Sequence, residues 1–261
     1  MRRRGVDGLV CDLDGVVYRG DVPIGGAAEA IARLRAAGVK IVFCTNNSRA
    51  TTSEYGYKLA GLGIETIDRE ILTSAVVTGE VLAGRGCAGK RVIVIGGDGL
   101  RQSLTEAGLV IVEDADDTSA DVVAVGLDTS FDYEAMRVAA LALRAGAEFI
   151  ATNDDATWPA PHGEQWPGAG ALLAALERAS GRSPEVMGKP HLPMLDAAER
   201  RLLGAKNIAL VGDRAETDLA GGVAKGWTTI LVLSGVTHPG DERSIEPAPD
   251  VVIDSLADLT L

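Results

Sequence analysis

The chain has 261 residues, enough for one large α/β domain or a core with a smaller second domain. Hydrophobic residues make up 46% and charged residues 24%, so a packed core is attainable; a net charge of -12 excludes the basic footprint of a nucleic-acid binder. No apolar run approaches the roughly 18 residues of a membrane span, and Met1-Arg2-Arg3-Arg4 leads into a short strand rather than a signal segment, so the expectation is a cytoplasmic protein with no membrane partner.

Residues 9–11 read as a short apolar strand, and 27–37 carry helical spacing at Ala27, Ile31 and Leu34 before a stop at Gly38. Residues 39–44 are apolar apart from Lys40, as in a strand covered on both faces, and 51–60 read as the next helix. Strand and helix alternating at this spacing predict parallel βαβ units with right-handed crossovers. A second series places strands at 91–95, 122–125 and 148–150, with helices at 100–107 and 133–144. A Pro-rich stretch at 158–167 precedes a helix at 169–180. A third series follows, with strands at 186–187, 208–211 and 229–233 and helices at 193–203 and 216–225. No fixed-period repeat and no low-complexity linker is present, so a second domain is expected as an insertion into the first.

Chemistry-bearing residues gather where strands end. The first strand runs into Asp12-Leu13-Asp14-Gly15. In an open parallel sheet ligands bind beyond the carboxyl ends of the strands, so both aspartates point to one site. Two carboxylates so close need a cation between them or a proton on one, and Mg²⁺ with its oxygen ligands meets that need. The strand at 39–44 leads into Thr45-Asn46-Asn47-Ser48, which can hold phosphate oxygens or serve as an ordinary helix N-cap. Lys189 is the local cation that so acidic a chain requires beside an anion, and Asp213 and Asp218 offer further carboxylates for a metal. Gly96-Gly97-Asp98-Gly99 lacks both GxGxxG spacing and a P-loop lysine, so it reads as a plain β-to-α turn. Cys11 and Cys44 lie in apolar runs and, with no CxxC spacing, read as buried thiols of a reducing compartment; Cys87 is uninformative. His191 and His238 are assigned no role.

The order Asp-x-Asp-Gly, Thr-Asn-Asn-Ser, Lys-Pro and Gly-Asp-x-x-x-Thr-Asp, each after a strand, resembles the haloacid dehalogenase superfamily over nearly the whole chain. Leu13-Asp14-Gly15-Val16-Val17-Tyr18, Ala151-Thr152-Asn153-x-Asp155 and Pro167-Gly168-Ala169-Gly170 are similar to its NagD-like and 4-nitrophenyl phosphatase branch, which carries a large inserted cap. The resemblance implies an α/β fold, with a Rossmann-like parallel-sheet core at about 1–78 and 183–261 and a smaller α/β cap at about 79–182. It implies a Mg²⁺-dependent phosphatase acting on small phosphomonoesters such as glycerol phosphate, phosphoglycolate or 4-nitrophenyl phosphate. Nucleoside monophosphatase, phosphotransferase and non-catalytic phosphate-binding readings stay open beside it.

Asp12 is implied as the nucleophile and Asp14 as general acid and then base, with Lys189 orienting Asp12 and neutralising phosphate. Thr45 and Asn46 are implied as phosphate ligands. The Asp12 carboxylate, the Asp14 carbonyl and Asp213 are implied as metal ligands, with Asp218 supporting them. Haloacid dehalogenases proper lack the second aspartate, so Asp14 favours phosphoester hydrolysis. Asn47, Asn153, Asp155, Trp158 and His162 are the candidates for touching substrate, and the resemblance admits a homodimer formed through the cap.

Overall fold

The apolar runs at 8–11, 122–125 and 208–212 become strands buried along their whole length, the condition met by a parallel sheet with helices on both faces. The computed structural model describes residues 5–114, 117–159 and 164–260. In chain order the elements begin β1 (Gly8–Cys11), β2 (Tyr18–Arg19), β3 (Val22–Pro23), α1 (Ala27–Ala36), β4 (Lys40–Thr45) and α2 (Thr52–Gly61). Next come β5 (Ile71–Thr73), α3 (Ser74–Gly84), β6 (Arg91–Ile95), α4 (Asp98–Glu106), β7 (Val110–Ile111), β8 (Val122–Val125), α5 (Tyr133–Ala145) and β9 (Glu148–Ala151). The chain continues through β10 (Thr157–Pro159), β11 (Gln165–Pro167), α6 (Ala169–Ser180), β12 (Glu185–Val186) and α7 (Leu192–Arg201). It closes with β13 (Ile208–Gly212), α8 (Ala220–Lys225), β14 (Thr228–Val232) and β15 (Val251–Ile253). Among the described residues no helix is long and apolar enough to cross a membrane.

Two compact units result. The first comprises the described residues of Met1–Thr45, Ser53–Leu72 and Lys189–Leu261; the second comprises Asn46–Thr52 and Thr73–Gly188. The expected crossings at 78/79 and 182/183 compare with crossings after Leu72 and after Gly188. Packing explains the difference. Helix α3 lies along α4 so closely that a Cβ on Gly79 would sit 2.6 Å from the Ser103 carbonyl oxygen, and β12 pairs with β9. Both segments therefore fold with the second unit, as does the Asn46–Thr52 segment that follows β4.

The first unit holds a six-stranded sheet in the order β15-β14-β13-β1-β4-β5. Strand β1 pairs in parallel with β4 on one side and β13 on the other, with Cys11 level with both Phe43 and Val211. The chain thus leaves β1 for one side of the sheet and returns to the other. That reversal is a topological switch point, where a ligand crevice opens beyond the strand ends. The second unit holds a five-stranded parallel sheet, β12-β9-β8-β6-β7, with its own reversal between β6 and β8. Its core packs Val138, Leu143, Leu173 and Leu176 of α5 and α6 against Val123 and Phe149. In the β10–β11 hairpin Trp158 stands opposite Trp166, their rings 5.7 Å apart and nearly perpendicular, an edge-to-face pair.

Candidate active site

Strand β1 carries Asp12 to the switch point. The Asp12 N–H still donates to the Val211 carbonyl at 3.0 Å, so the carboxylate leaves from the last rung of the ladder. Gly15, at φ 84°, then turns the chain, and its N–H donates to the Tyr18 carbonyl at 2.7 Å. A side chain at Gly15 or at Gly235 would run into the Asp213 carboxylate, so two glycines make room for that group.

Lys189 gathers the carboxylates. Its Nζ donates to Asp12 Oδ1 at 2.6 Å and to Asp218 Oδ1 at 2.7 Å, and the residue is only 2% exposed. The helix expected from 216 instead begins as a π-helical turn over Ala215–Leu219, in which the Leu219 N–H reaches the Arg214 carbonyl. This wider turn aims Asp218 back at Lys189 while its Oδ2 accepts the Arg214 N–H at 3.2 Å. Asp213, directly after β13, accepts the Val236 N–H at 2.6 Å, and the Thr237 hydroxyl donates to its carbonyl at 2.7 Å.

Asp12, Asp213 and Asp218 each offer an oxygen within 4.8 Å of the others. When all three are ionised, the carboxylates beside one ammonium leave an excess of two negative charges, the charge a divalent cation brings. Burial pushes Asp12 well above the ordinary carboxylate range against the pull of Lys189, and burial together with Asp218 pushes Asp213 up to about 6. Burial works against the Lys189 charge, but Asp12 and Asp218 more than offset it, so Lys189 stays an ammonium. An unpaired buried carboxylate is unfavourable, and an all-oxygen set of this charge fits Mg²⁺. Asp218, expected to support the ligands, is itself a member of the cluster.

Asp14 is exposed, yet the protein mass around it raises its carboxyl, opposed by Lys58, a Gly20 backbone hydrogen bond, Arg214 and Arg19. Thr45 closes β4 and is buried, with its hydroxyl bonded to Tyr55.

The other expected residues form a separate network within the second unit. The Asn46 side-chain amide donates to both Asp155 oxygens at 3.1 and 3.2 Å, and the Asn46 backbone carbonyl accepts from Ser74 Oγ at 2.5 Å and Asn153 Nδ2 at 2.9 Å. Thr152 Oγ1 donates to Ser48 Oγ at 3.1 Å, while exposed Asn47 folds its Oδ1 onto the Arg49 N–H at 2.9 Å. Asn153 and Asp155 thus grip the loop after β4. Trp158 sits in the hairpin described above, and His162 lies outside the described residues.

The glycine run at 96–99 is a β-to-α turn, and its glycines have a packing reason. A Cβ on Gly97 would come within 2.9 Å of the Arg49 backbone, and one on Gly99 within 2.8 Å of the Ser48 carbonyl. Cys11, Cys44 and Cys87 are buried, and burial holds the Cys11 and Cys44 thiols neutral, Cys44 pushed up to about 12. The Ser234-to-Thr237 loop escaped the sequence reading. It holds Asp213, and the Ser234 hydroxyl donates to the Gly15 carbonyl at 2.7 Å. It follows a strand, so the carboxyl-end rule that found Asp12 and Asp213 could have found it too.

Comparison with known proteins accords with this geometry. A haloacid dehalogenase-like hydrolase family model matches residues 9–110, and a HAD-hydrolase-like model matches residues 186–259. The acid sugar phosphatase of Staphylococcus haemolyticus is 39% identical over 231 residues, 88% of this chain and 86% of that protein. The p-nitrophenyl phosphatase of Archaeoglobus fulgidus superposes with a TM-score of 0.89 at 35% identity, covering 98% of each chain. A glycerol phosphate phosphatase of Mycobacterium tuberculosis, solved in complex with magnesium, gives a TM-score of 0.87 at 34% identity, covering 96% of this chain and 75% of that one. The chain belongs to the haloacid dehalogenase-like hydrolases.

Proposed function

We propose that this chain is a Mg²⁺-dependent phosphatase of small organic phosphomonoesters, working through an aspartyl-phosphate on Asp12. The observation that carries the reading is Lys189 Nζ joining Asp12 to Asp218 at the carboxyl edge of the sheet, with the Asp213 carboxylate beside them. Mg²⁺, held by Asp12, Asp213 and the Asp14 carbonyl with Asp218 in support, supplies neutralisation of the phosphoryl charge when bound. Lys189 orients Asp12 and opposes the protonation that burial favours there, and Thr45, which closes β4, binds a phosphoryl oxygen through its hydroxyl.

An Asp12 oxygen attacks phosphorus. The P–O bond to the organic group breaks with its electron pair on the leaving oxygen, which takes a proton from Asp14. Water then attacks the phosphorus of the aspartyl-phosphate and gives a proton to the Asp14 carboxylate. The P–O bond to Asp12 breaks, freeing phosphate and the Asp12 carboxylate. The raised Asp14 carboxyl suits a group that must start protonated. Relatives named for sugar, glycerol and nitrophenyl phosphates support a small substrate.

The test is phosphate release from 4-nitrophenyl phosphate, glycerol 3-phosphate, sugar phosphates and nucleoside monophosphates, with Mg²⁺ and with EDTA. The expected outcome is Mg²⁺-dependent release, with Asp12→Asn lowering kcat/KM at least about 10³-fold, as loss of a covalent nucleophile does. Folded, Mg²⁺-loaded protein that releases phosphate from no member of the panel would sink the reading.

A further inference from the structure

Asp14 must be aimed as well as protonated, and the segment that aims it is weak by itself. The β2–β3 hairpin starts four residues after Asp14 and pairs only Tyr18 with Pro23 and Arg19 with Val22. A two-stranded ribbon this short does not hold its shape unaided. Arg19 ties one side of it to the Ser234 carbonyl. The other side is held by a residue that the mechanism does not use.

Lys58, in the last turn of α2, lies 40 residues from Tyr18 in sequence. Its Nζ donates to the Gly20 carbonyl at 2.6 Å, stands 3.9 Å over the centre of the Tyr18 ring, and lies 3.5 Å from Asp21 Oδ1. All three partners belong to the hairpin and its turn. Gly20 in turn gives the Asp14 carboxylate a backbone hydrogen bond, and the buried Tyr18 carries the carbonyl that accepts the Gly15 N–H at 2.7 Å. One ammonium therefore grips the residue that steadies the Asp14 carboxyl and the residue that closes the turn after it. A lysine near a helix C-terminus is also favoured by the helix dipole, but that role needs none of these partners.

We infer that Lys58 is a positioning residue for leaving-group protonation, clamping the hairpin so that Asp14 faces the oxygen it must protonate. The inference rests on the phosphatase reading and goes beyond it by separating substrates by leaving group. As the P–O bond of an alkyl phosphate breaks, the electron pair would leave on an alkoxide, and the Asp14 proton goes to that oxygen. 4-Nitrophenolate is a stable anion and departs without a proton. A misplaced Asp14 therefore harms the first class of substrate and spares the second.

The experiment compares kcat/KM for glycerol 3-phosphate and 4-nitrophenyl phosphate, with Mg²⁺, in wild type, Lys58→Met and Lys58→Arg. Because kcat/KM covers only the steps up to departure of the leaving group, later work of Asp14 on water does not enter. General acid catalysis contributes about 10²- to 10⁴-fold, so partial misplacement in Lys58→Met should lower the glycerol 3-phosphate value about tenfold and the 4-nitrophenyl phosphate value less than about twofold. Lys58→Arg, which keeps the charge, should recover most of the loss. Equal losses on the two substrates, or none on either, would overturn the assignment of Lys58 alone. A wild type that cleaves 4-nitrophenyl phosphate but no alkyl phosphate overturns it too, since no proton is then delivered. A wild type inactive on both overturns the phosphatase reading itself.

Discussion

Each unit contains a parallel sheet whose strand order reverses, and each reversal opens a crevice, but the two crevices are filled differently. In the first unit the reversal at β1 and β13 presents Asp12, Asp213, Asp218 and Lys189, a cluster with two negative charges unbalanced once its carboxyls ionise. In the second the reversal at β6 and β8 presents glycines, with residues 48–50 of the chain packed against Gly97, Gly99 and Gly126. Its polar groups, Asn46, Ser48, Thr152, Asn153 and Asp155, bond to one another. Topology therefore locates a crevice but does not decide its use. A charged cluster left short of a cation is built to take up ligand, whereas a crevice filled with the chain's own backbone is built to hold a loop.

Removing the ammonium gives the harshest test of that contrast. Lys189→Met leaves Asp12 and Asp218 without their cation, and breaking a buried pair this way costs about 3–5 kcal/mol. Urea unfolding in EDTA should report that loss, with Mg²⁺ returning part of it. A change near zero would mean that the carboxylates are already neutral and that the cluster is not short of a cation.

Metal linkage sharpens the contrast further. Asp213, held at about 6 when metal-free, carries a proton when folded but not when unfolded between about pH 4 and pH 6. Its protonated form thus stabilises the metal-free fold below about pH 4, and that contribution is lost as pH rises through about 6. Mg²⁺ needs the carboxylate, so its stabilising effect should grow over the same interval, reaching about 2.7 kcal/mol at a hundredfold excess over Kd. Thermal melts with and without Mg²⁺ at pH 5 and pH 7.5 read this directly. A shift that is the same at both values would remove Asp213 from the metal site.

The smallest expected effect probes the filled crevice. Gly99→Ala gains up to about 1 kcal/mol of helix propensity in α4, but its methyl group meets the Ser48 and Ala50 carbonyls. Overpacking against backbone costs about 1–3 kcal/mol and should prevail, for a net loss of about 1–2 kcal/mol. Hydrogen exchange at residues 48–50 should rise with it. A neutral or stabilised variant would show that the loop is not held by this contact.

Much of the fold could be read in advance. Strands β1, β4, β6, β8, β13 and β14 stood out as apolar runs, and α1, α5 and α6 as periodic segments. Helix α3 did not, because Ser74–Gly84 is apolar on nearly every face and carries no 3.6-residue contrast. Strands β5, β7 and β15 are two or three residues long, too short for any pattern to show.

Along the candidate site the division follows chemistry. By itself the sequence determined which residue types end each strand, and hence Asp12, Asp14, Thr45, Lys189, Asp213 and Asp218, because strand ends and acidic residues are local features of the chain. Only the tertiary structure decided that Asn153 and Asp155 grip Asn46, that Ser234 holds the turn at Gly15 and Val236 the Asp213 carboxylate, and that Lys58 clamps Gly20. Each of those is a hydrogen bond between groups 20 or more residues apart. Such a bond exists only when packing brings donor and acceptor within about 3 Å, a distance that no local spacing along the chain encodes.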